Sequence, residues 1–161
     1  LGGLVREWTR TMDPAALVLE SQRADPKHLA KIELETRVAD EALEVMLDPM
    51  MLRRSLDNLV RNAVQAIAEK GEGGHVVVEA HRDGDDALLE VRDDGPGVPA
   101  KSRERVFDPY FTTKSEGTGL GLAIVKKVVL EHGGSISCGV AKEGGAAFRI
   151  RLPLRRPGGR A

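Results

Sequence analysis

Cysteine and aromatic residues are the scarcest components of this 161-residue chain. The single cysteine, Cys138, excludes an internal disulfide framework and a zinc site built from cysteines. Aromatic residues make up only 3% of the sequence, so we expect a core of Val, Leu, Ile and Ala. No apolar run approaches the roughly 20 residues of a membrane-spanning helix, and the first residues lack the basic and apolar regions of a signal peptide.

Neither sign of charge dominates, because 24 Lys and Arg residues face 25 Asp and Glu residues. The lack of a basic excess argues against a protein that binds nucleic acid or an anionic membrane through phosphate contacts. The length fits one domain with its own core. Because the chain begins with Leu rather than Met, we expect a piece of a longer protein. A single thiol fits a reducing compartment, so we expect this piece to be cytoplasmic; a membrane anchor elsewhere in the parent protein stays open.

Helical and strand patterns alternate along the chain. Asp48-Pro49 is a cap followed by a first-turn proline, and it opens the clearest helix, whose apolar residues form one stripe over four turns. That helix is expected to end at positions 71–74. Further helices are predicted near the N-terminus, at 15–22 as a second helix or a kinked extension, around 101–105 and at 120–131. Strands are predicted at 31–38, 75–81, 87–92, 135–140 and 147–152.

The order of these elements predicts an α+β fold. Some strands are separated by helices and others are joined as hairpins, so the sheet should be mixed, with about five strands. All major helices could then cover one face of it, which makes a two-layer sandwich.

Four polar residues share the side of the long helix opposite its apolar stripe. Asn58, Arg61, Asn62 and Gln65 are spaced i, i+3, i+4 and i+7. Such residues commonly form a solvated face, but asparagine is a poor helix former, and two of them in mid-helix suggest a bound ligand. The amide oxygen of asparagine suits Mg²⁺, which also keeps waters and binds phosphate oxygens.

Three loop segments follow. Asp93-Asp94-Gly95-Pro96-Gly97 is either an ordinary turn or a nucleobase site in which Asp93 accepts a hydrogen bond from an adenine amino group. In Phe107–Lys114, three of the four Phe and Tyr residues of the chain fall within five positions. They either anchor the loop to the core, the favoured interpretation for Phe107, or form a lid, with Lys114 placed to reach a terminal phosphate. Gly117, Gly119 and Gly121 precede a helix, whose first amides favour phosphate.

In order and spacing, these segments resemble the catalytic ATP-binding domain of bacterial sensor histidine kinases, within the gyrase, histidine-kinase and mismatch-repair ATPase superfamily. Residues 59–63 are similar to its N box and 93–97 to its first glycine box. Residues 107–111 are similar to its F box and 117–122 to its second glycine box. The resemblance runs from about Ile32 to Pro153 and implies a Bergerat fold with an ATP lid.

The resemblance also implies roles for individual residues. Asn62 is expected to be the Mg²⁺ ligand, Asp93 the adenine reader and Asn58 a support for the metal and phosphate region. Gly95, Gly97 and Val98 are expected to line the base. The other nucleotide-binding candidates are Arg61, Gln65, Phe107, Tyr110, Thr112, Thr113, Lys114, Gly117, Thr118, Gly119, Leu120, Gly121 and Leu122.

Two departures from the family pattern stand out. Gln65 occupies a position that is often Lys, and the short lid ending in Phe-Thr-Thr-Lys is similar to the nitrogen- and dicarboxylate-sensing subgroup. We expect Lys114, together with Arg61, to supply the missing charge, which makes Asn62 and Lys114 the catalytic candidates. Asp94 stands where Asn is commoner and is interpreted as facing solvent.

The expected activity is transfer of the γ-phosphate of Mg-ATP to a histidine, for relay to an aspartate of a response regulator receiver domain. His28, His75, His81 and His132 each look structural or solvent-facing, so the acceptor and its dimerisation domain are expected outside this chain. Positions 1–30 would form a helical segment leading from that domain, 31–154 the catalytic domain and 155–161 a flexible tail. We expect a homodimeric parent and a monomeric fragment. The alternatives are an ATP-hydrolysing clamp, disfavoured because Asn58 replaces its general base, and a degenerate nucleotide-sensing domain.

Overall fold

The computed structural model describes residues 1–11, 32–70, 74–111 and 120–155. Its helices are α1 (Gly2–Thr11), α2 (Pro49–Lys70) and α3 (Gly121–Glu131). Its strands are β1 (Ile32–Val38), β2 (Gly74–Asp83), β3 (Asp86–Asp93), β4 (Ser135–Val140) and β5 (Ala146–Pro153). Each predicted strand is present, with ends shifted by one or two residues. No helix in these ranges is both long and apolar enough to span a bilayer.

The described strands form one mixed sheet in the order β1-β2-β3-β5-β4. β1 pairs with β2 in parallel, and the other neighbours are antiparallel. Gly84 in the β2–β3 turn and Gly144 in the β4–β5 turn have positive φ angles of 63° and 96°, where a side chain would be strained. The prediction of a mixed α+β sheet with helices is confirmed.

The two faces of the sheet differ in composition. Val78, Val91 and Phe148 lie side by side across β2, β3 and β5, and all three are buried in the hydrophobic core. The adjacent set of paired residues, Glu79, Glu90 and Arg149, lies on the opposite face. Because successive strand residues alternate between faces, the apolar set faces the helices, and no described helix covers the charged set.

Helix α2 supplies the other half of the core. The Asp48 carboxylate accepts hydrogen bonds from the amides of Met50 (3.0 Å) and Met51 (3.3 Å), so Asp48 caps the helix as predicted. The apolar stripe predicted for this helix is buried, and its members Leu56, Leu59, Val60, Ala63, Val64 and Ile67 all belong to the core cluster.

His132 connects the end of α3 to the start of α2. Its Nδ1–H donates to the Val128 carbonyl (2.7 Å), and its Nε2 accepts the Asp48 amide (2.9 Å). One nitrogen donates and the other accepts, so the ring is held as the neutral tautomer that carries its proton on Nδ1. The structural role expected for His132 is therefore observed.

Helix α1 packs into the same core. Val5 and Trp8 are buried, and the Trp8 indole donates to the Asp57 carboxylate of α2 at 2.8 Å. The division of the chain at position 30 stays a prediction. The helix expected at 15–22 and His28 lie outside the described residues, as do positions 71–73 and 156–161.

The short helix predicted around positions 101–105 is present only as two 3₁₀ turns, Ala100–Ser102 and Arg105–Phe107. The segment is bounded by Pro99 and Pro109, and a residue that precedes proline is disfavoured in helical conformation. Runs of 3₁₀ helix longer than three or four residues are uncommon, which fits two separate turns in this segment.

Candidate functional site

A cavity of about 120 Å³ lies between α2, the loop after β3 and the start of β5. Its described lining combines one carboxylate at the end of a strand, one helical amide and several apolar groups. These residues are Asn62, Ala66, Glu69, Asp93, Pro96, Gly97, Val98, Pro99, Val106, Phe111, Leu122, Ala146 and Phe148. An apolar pocket with a few convergent polar groups is typical of a small-molecule site.

Asp93 is the buried polar group of this cavity, with only 2% of its surface exposed. It is the last residue of β3, and its Oδ1 accepts two backbone hydrogen bonds, from Gly95 (2.9 Å) and from Ala146 (3.2 Å). Donors of this kind stabilise an ionised carboxylate. The side chain is thus held by backbone from two different segments.

Asp94 faces away from the cavity. Its Oδ1 accepts the His75 amide (2.9 Å), and its Oδ2 lies 3.1 Å from His75 Nδ1. The hydrogen bond to Asp94 raises the pKa of His75. A Cβ at Gly74 would collide with this carboxylate, so the contact needs a glycine at the start of β2. The interpretation of Asp94 as merely solvent-facing is wrong, because pairing of β2 with β3 brings the first residues of β2 beside it.

The polar face of α2 lies along one wall. Asn62, Ala66 and Glu69 line the cavity with the helical spacing i, i+4 and i+7. Asn58 lies one turn earlier, and its Oδ1 would be 3.8 Å from a Cβ built at Gly121, so its side chain lies beside the start of α3. Arg61 and Gln65 are half-buried on the same helix.

The start of α3 closes one end of the cavity, where Leu122 contributes to the lining. The helix begins at Gly121 after Leu120, has no side-chain cap and has no acidic residue in its first turn. The amides of a helix N-terminus and the helix dipole favour an anion. With no carboxylate in that first turn to oppose it, this end suits a phosphate group.

The aromatic residues of the F-box segment divide into three environments. Phe111 lines the cavity, and its ring lies 4.9 Å from the Arg105 guanidinium. Phe107 is buried and contacts Phe148 edge to face, with ring centroids 6.1 Å apart. Tyr110 is 76% exposed and has a positive φ of 65°, which is uncommon for a residue with a side chain. Of the three, only Phe111 belongs to the described cavity lining.

Six of the predicted nucleotide-binding residues lie outside the described residues: Thr112, Thr113, Lys114, Gly117, Thr118 and Gly119. Of the others, Asn62, Asp93, Gly97, Val98 and Leu122 line the cavity, and Gly95 donates its amide hydrogen bond to Asp93. The binding roles of all these residues stay predictions.

The β4–β5 turn is the part of the site that the sequence analysis missed. Ala146 donates to Asp93 and lines the cavity, and a Cβ at Gly145 would collide with the Asp93 carboxylate. A usable signal was present. Gly144 alone provides the positive φ of the turn, so the second glycine indicates a close approach of backbone. Ala66 and Glu69 were also predictable from their helical spacing to Asn62.

Comparisons with known proteins agree with this geometry. Residues 47–156, more than half of the chain, match the family described as histidine kinase-, DNA gyrase B- and HSP90-like ATPase. The sensor histidine kinase ZraS of Escherichia coli O157:H7 is 41% identical over 139 residues, which is 86% of this chain and 29% of ZraS. The nitrogen regulation protein NtrY of Azorhizobium caulinodans is 41% identical over 125 residues, or 74% of this chain and 16% of NtrY. The chain therefore spans less than a third of these relatives.

Solved structures give the same result. The catalytic domain of the histidine kinase ThkA superposes with a TM-score of 0.72 at 31% identity, covering 96% of this chain and 92% of that one. Full-length ShkA in complex with AMPPNP has a TM-score of 0.72 at 30% identity, covering 97% of this chain and 30% of ShkA. On its fold, its cavity and these relatives, the chain belongs to the histidine kinase-, DNA gyrase B- and HSP90-like ATPase family, as the ATP-binding catalytic domain of a sensor histidine kinase.

Proposed function

We propose that this domain binds Mg-ATP and donates the γ-phosphate to a histidine on a dimerisation domain outside this chain. A receiver-domain aspartate of a response regulator then takes the phosphoryl group. The observation that carries the proposal is the cavity in which the buried carboxylate of Asp93, the amide of Asn62 and the start of α3 converge.

Asp93 recognises the adenine. Its carboxylate is buried in the cavity and is held in place by the amides of Gly95 and Ala146. An adenine amino group donates to such an acceptor, whereas a guanine presents a carbonyl at the same position. A base that presents a carbonyl there sets one acceptor against another inside the cavity, so it binds more weakly than adenine. The apolar lining beside it, including Val98 and Phe148, fits the faces of a flat aromatic ring.

The opposite end holds the phosphates. Asn62 supplies a neutral amide oxygen, and no cluster of three or more acidic, histidine or cysteine side chains suited to a metal occurs in the described residues. This donor set fits Mg²⁺, which commonly takes one or two protein ligands and completes its shell with phosphate oxygens and water. When bound, Mg²⁺ neutralises phosphate charge. The amides at the start of α3 bind the phosphate oxygens, and Asn58 lies beside them.

Lys114 and Arg61 complete the positive charge around the triphosphate. Arg61 is half-buried on α2, one residue before Asn62, while Lys114 lies outside the described residues. The role of Lys114 is therefore tested by substitution. Lys114→Ala should weaken ATP binding and slow phosphoryl transfer, and unchanged values of both would remove Lys114 from the proposal.

Asn58 makes hydrolysis slow and preserves the γ-phosphate for another acceptor. A hydrolysing clamp needs a carboxylate four residues before the metal ligand to take a proton from water, and an amide cannot do so at neutral pH. Two of the described histidines are already engaged, His132 by Asp48 and Val128, and His75 by Asp94 and Glu33. The phosphoacceptor therefore lies on another segment, and catalysis depends on positioning and charge neutralisation.

Calorimetry with ATP, with and without Mg²⁺, tests the binding step. The chain should bind ATP, and Mg²⁺ should strengthen binding. Asn62→Ala should remove most of that strengthening while leaving metal-free binding of adenosine unchanged, because Asp93 is intact. A chain that binds no adenine nucleotide under either condition would overturn the proposed function.

Labelled γ-phosphate tests the acceptor. The chain alone should incorporate no label, and adding the dimerisation domain of the parent protein should restore incorporation on a histidine of that domain. Incorporation into the isolated chain would place the acceptor here and contradict the proposal.

A further inference from the structure

Arg92 and Asp93 are consecutive residues of β3 that point to opposite faces of the sheet. Asp93 lies on the helix-covered face and lines the cavity. Arg92 pairs with Val77 and Ala147 on the other face, where no described helix packs. Nevertheless, the Arg92 side chain is only 1% exposed. A buried guanidinium on an uncovered face must be enclosed by neighbouring side chains.

Three carboxylates enclose it. Nη1 of Arg92 donates to Glu79 Oε2 at 2.6 Å, and Nε donates to Glu143 at 3.1 Å and 3.3 Å. Glu90 lies 3.7 Å from Nη1. The hydrogen bond from Arg92 lowers the pKa of Glu79. Glu79 and Glu90 belong to the neighbouring part of the sheet, whereas Glu143 lies in the β4–β5 turn.

The same turn approaches Asp93 from the other side of the sheet. Ala146 donates its amide to Asp93 Oδ1 (3.2 Å), and a Cβ at Gly145 would collide with that carboxylate. Within the turn, the Ala141 amide donates to the Gly145 carbonyl at 2.8 Å, and the Gly144 amide donates to the Ala141 carbonyl at 3.0 Å. These bonds make a compact unit from Ala141 to Gly145. The position of Glu143 is therefore coupled to the position of the backbone that contacts Asp93.

We propose that Arg92 and Glu143 are positioning residues for adenine recognition. Their ion pair on the uncovered face holds the β4–β5 turn against β3, which keeps the Ala146 amide on Asp93 and fixes the carboxylate for the amino group of the base. This inference rests on the proposed function of the site. It adds that residues on the uncovered face of the sheet contribute to the specificity for adenine.

Stability alone is a weaker explanation of the cluster. A buried ion pair contributes little net stability because desolvation offsets the attraction between the charges, and apolar residues of similar volume often replace it without loss. What an ion pair supplies is a defined geometry between two segments. Here the two segments are the strand that ends in Asp93 and the turn that hydrogen-bonds to it.

The test compares ATP with inosine triphosphate, which has a carbonyl where adenine has its amino group. Glu143→Gln keeps the shape of the side chain and removes its charge, and it lies in the β4–β5 turn outside the hydrophobic core. We expect it to weaken ATP binding by about threefold to tenfold, as for the partial loss of one hydrogen bond. Binding of inosine triphosphate should stay within about twofold of the unsubstituted chain, because that base makes no such bond.

Three further variants complete the experiment. Arg92→Met should produce the same selective loss, and the double variant should lose no more than either single one, since both break the same contact. Arg151→Met is the matched control. Arg151 lies on the same face, and its guanidinium contacts Asp83, at the end of β2, at 2.6 Å. The Arg151→Met variant should therefore leave the preference for ATP over inosine triphosphate unchanged.

Three outcomes would overturn the inference. Equal losses for both nucleotides would show general loosening of the cavity, and an unchanged preference would show that the pair does not act on Asp93. A preference lost equally in Arg151→Met would show that it depends on the charges of that face in general and not on the Arg92–Glu143 pair. In each of these cases the unsubstituted chain still binds ATP, so the proposed function survives. Absence of ATP binding by the unsubstituted chain would overturn both.

Discussion

The two faces of the sheet are held together by different interactions, although the same strands form both. On the covered face, β2, β3 and β5 contribute Val78, Val91 and Phe148 to a core shared with α2. On the other face, the next residues are Glu79, Glu90 and Arg149, which form ion pairs instead. Hydrophobic burial supplies most of the stability on the first face. On the charged face, Val77, Leu88 and Ala147 are buried too, but they lie among charged side chains whose ion pairs fix the geometry between strands.

The largest difference between the two faces is expected in the loss of stability that a substitution on each face causes. Leu59→Ala removes a fully buried side chain of α2 and should lower the free energy of unfolding by about 2–5 kcal/mol. Arg149→Met, which breaks the 3.3 Å contact with Glu90 on the other face, should cost less than about 1 kcal/mol. Urea denaturation measures both. Similar losses in the two variants would show that the charged face stabilises the fold as much as the core does.

Substitution of the two adjacent carboxylates, Asp93 and Asp94, should change the affinity for ATP to very different extents. Asp93→Asn weakens the buried acceptor of the cavity and should reduce ATP affinity roughly a hundredfold, as expected for a charged hydrogen bond in a buried site. Asp94→Asn should change ATP affinity by less than about threefold, because Asp94 contacts His75 instead of the cavity. Calorimetry gives both dissociation constants. A comparable loss in Asp94→Asn would place that residue in the nucleotide site.

Thiol reactivity probes the edge of the covered face. Cys138 on β4 lies across from Phe148, and burial raises the pKa of its thiol to about 11. Its thiolate is therefore scarce at pH 8, although a less acidic thiol is intrinsically more nucleophilic. Together these effects predict reaction with an aromatic disulfide reagent roughly twentyfold slower than in the urea-unfolded chain. The rate should keep rising up to about pH 11, and a plateau near pH 8.5 would contradict the raised pKa.

The smallest effect is expected for the contribution of His75, on the uncovered face, to stability. Hydrogen bonding to Asp94 raises the pKa of His75, with a further contribution from Glu33 at 3.1 Å. The folded pKa is above the unfolded value, so the pair stabilises the protein below about pH 6.5, and this stabilisation is lost as the pH rises through the folded pKa. An NMR titration of the ring should show a lower pKa in Asp94→Asn and a smaller decrease in Glu33→Gln. An unchanged value in Asp94→Asn would mean that the contact is absent in solution.

Much of the fold was predictable because its signals are local. The Asp48-Pro49 cap, the apolar stripe of α2 and the alternation in the strands depend on the periodicity of helix and strand. The glycine-containing segments could also be recognised from their order. One prediction was only partly right: the segment at 101–105 contains two 3₁₀ turns rather than one short helix.

The site was predictable only in part. Asn62 stood out because asparagine is a poor helix former, and Asp93 stood out through its place in the order of the glycine-containing segments. Ala146 did not stand out, since its contribution is a backbone amide that carries no side-chain signal. The contact of Asp94 with His75 depends on the register of β2 against β3, which no single segment specifies.

By itself the amino-acid sequence determined the secondary structure, the family and the chemical types of the groups around the nucleotide, because these follow from short-range pattern and residue identity. Only the tertiary structure decided that Asp94 contacts His75. It also decided that Arg92 is buried under Glu79 and Glu143 and that a turn some fifty residues away supports Asp93. These outcomes depend on pairing between strands that are distant in the chain, and that pairing is a property of the packed sheet rather than of any local segment.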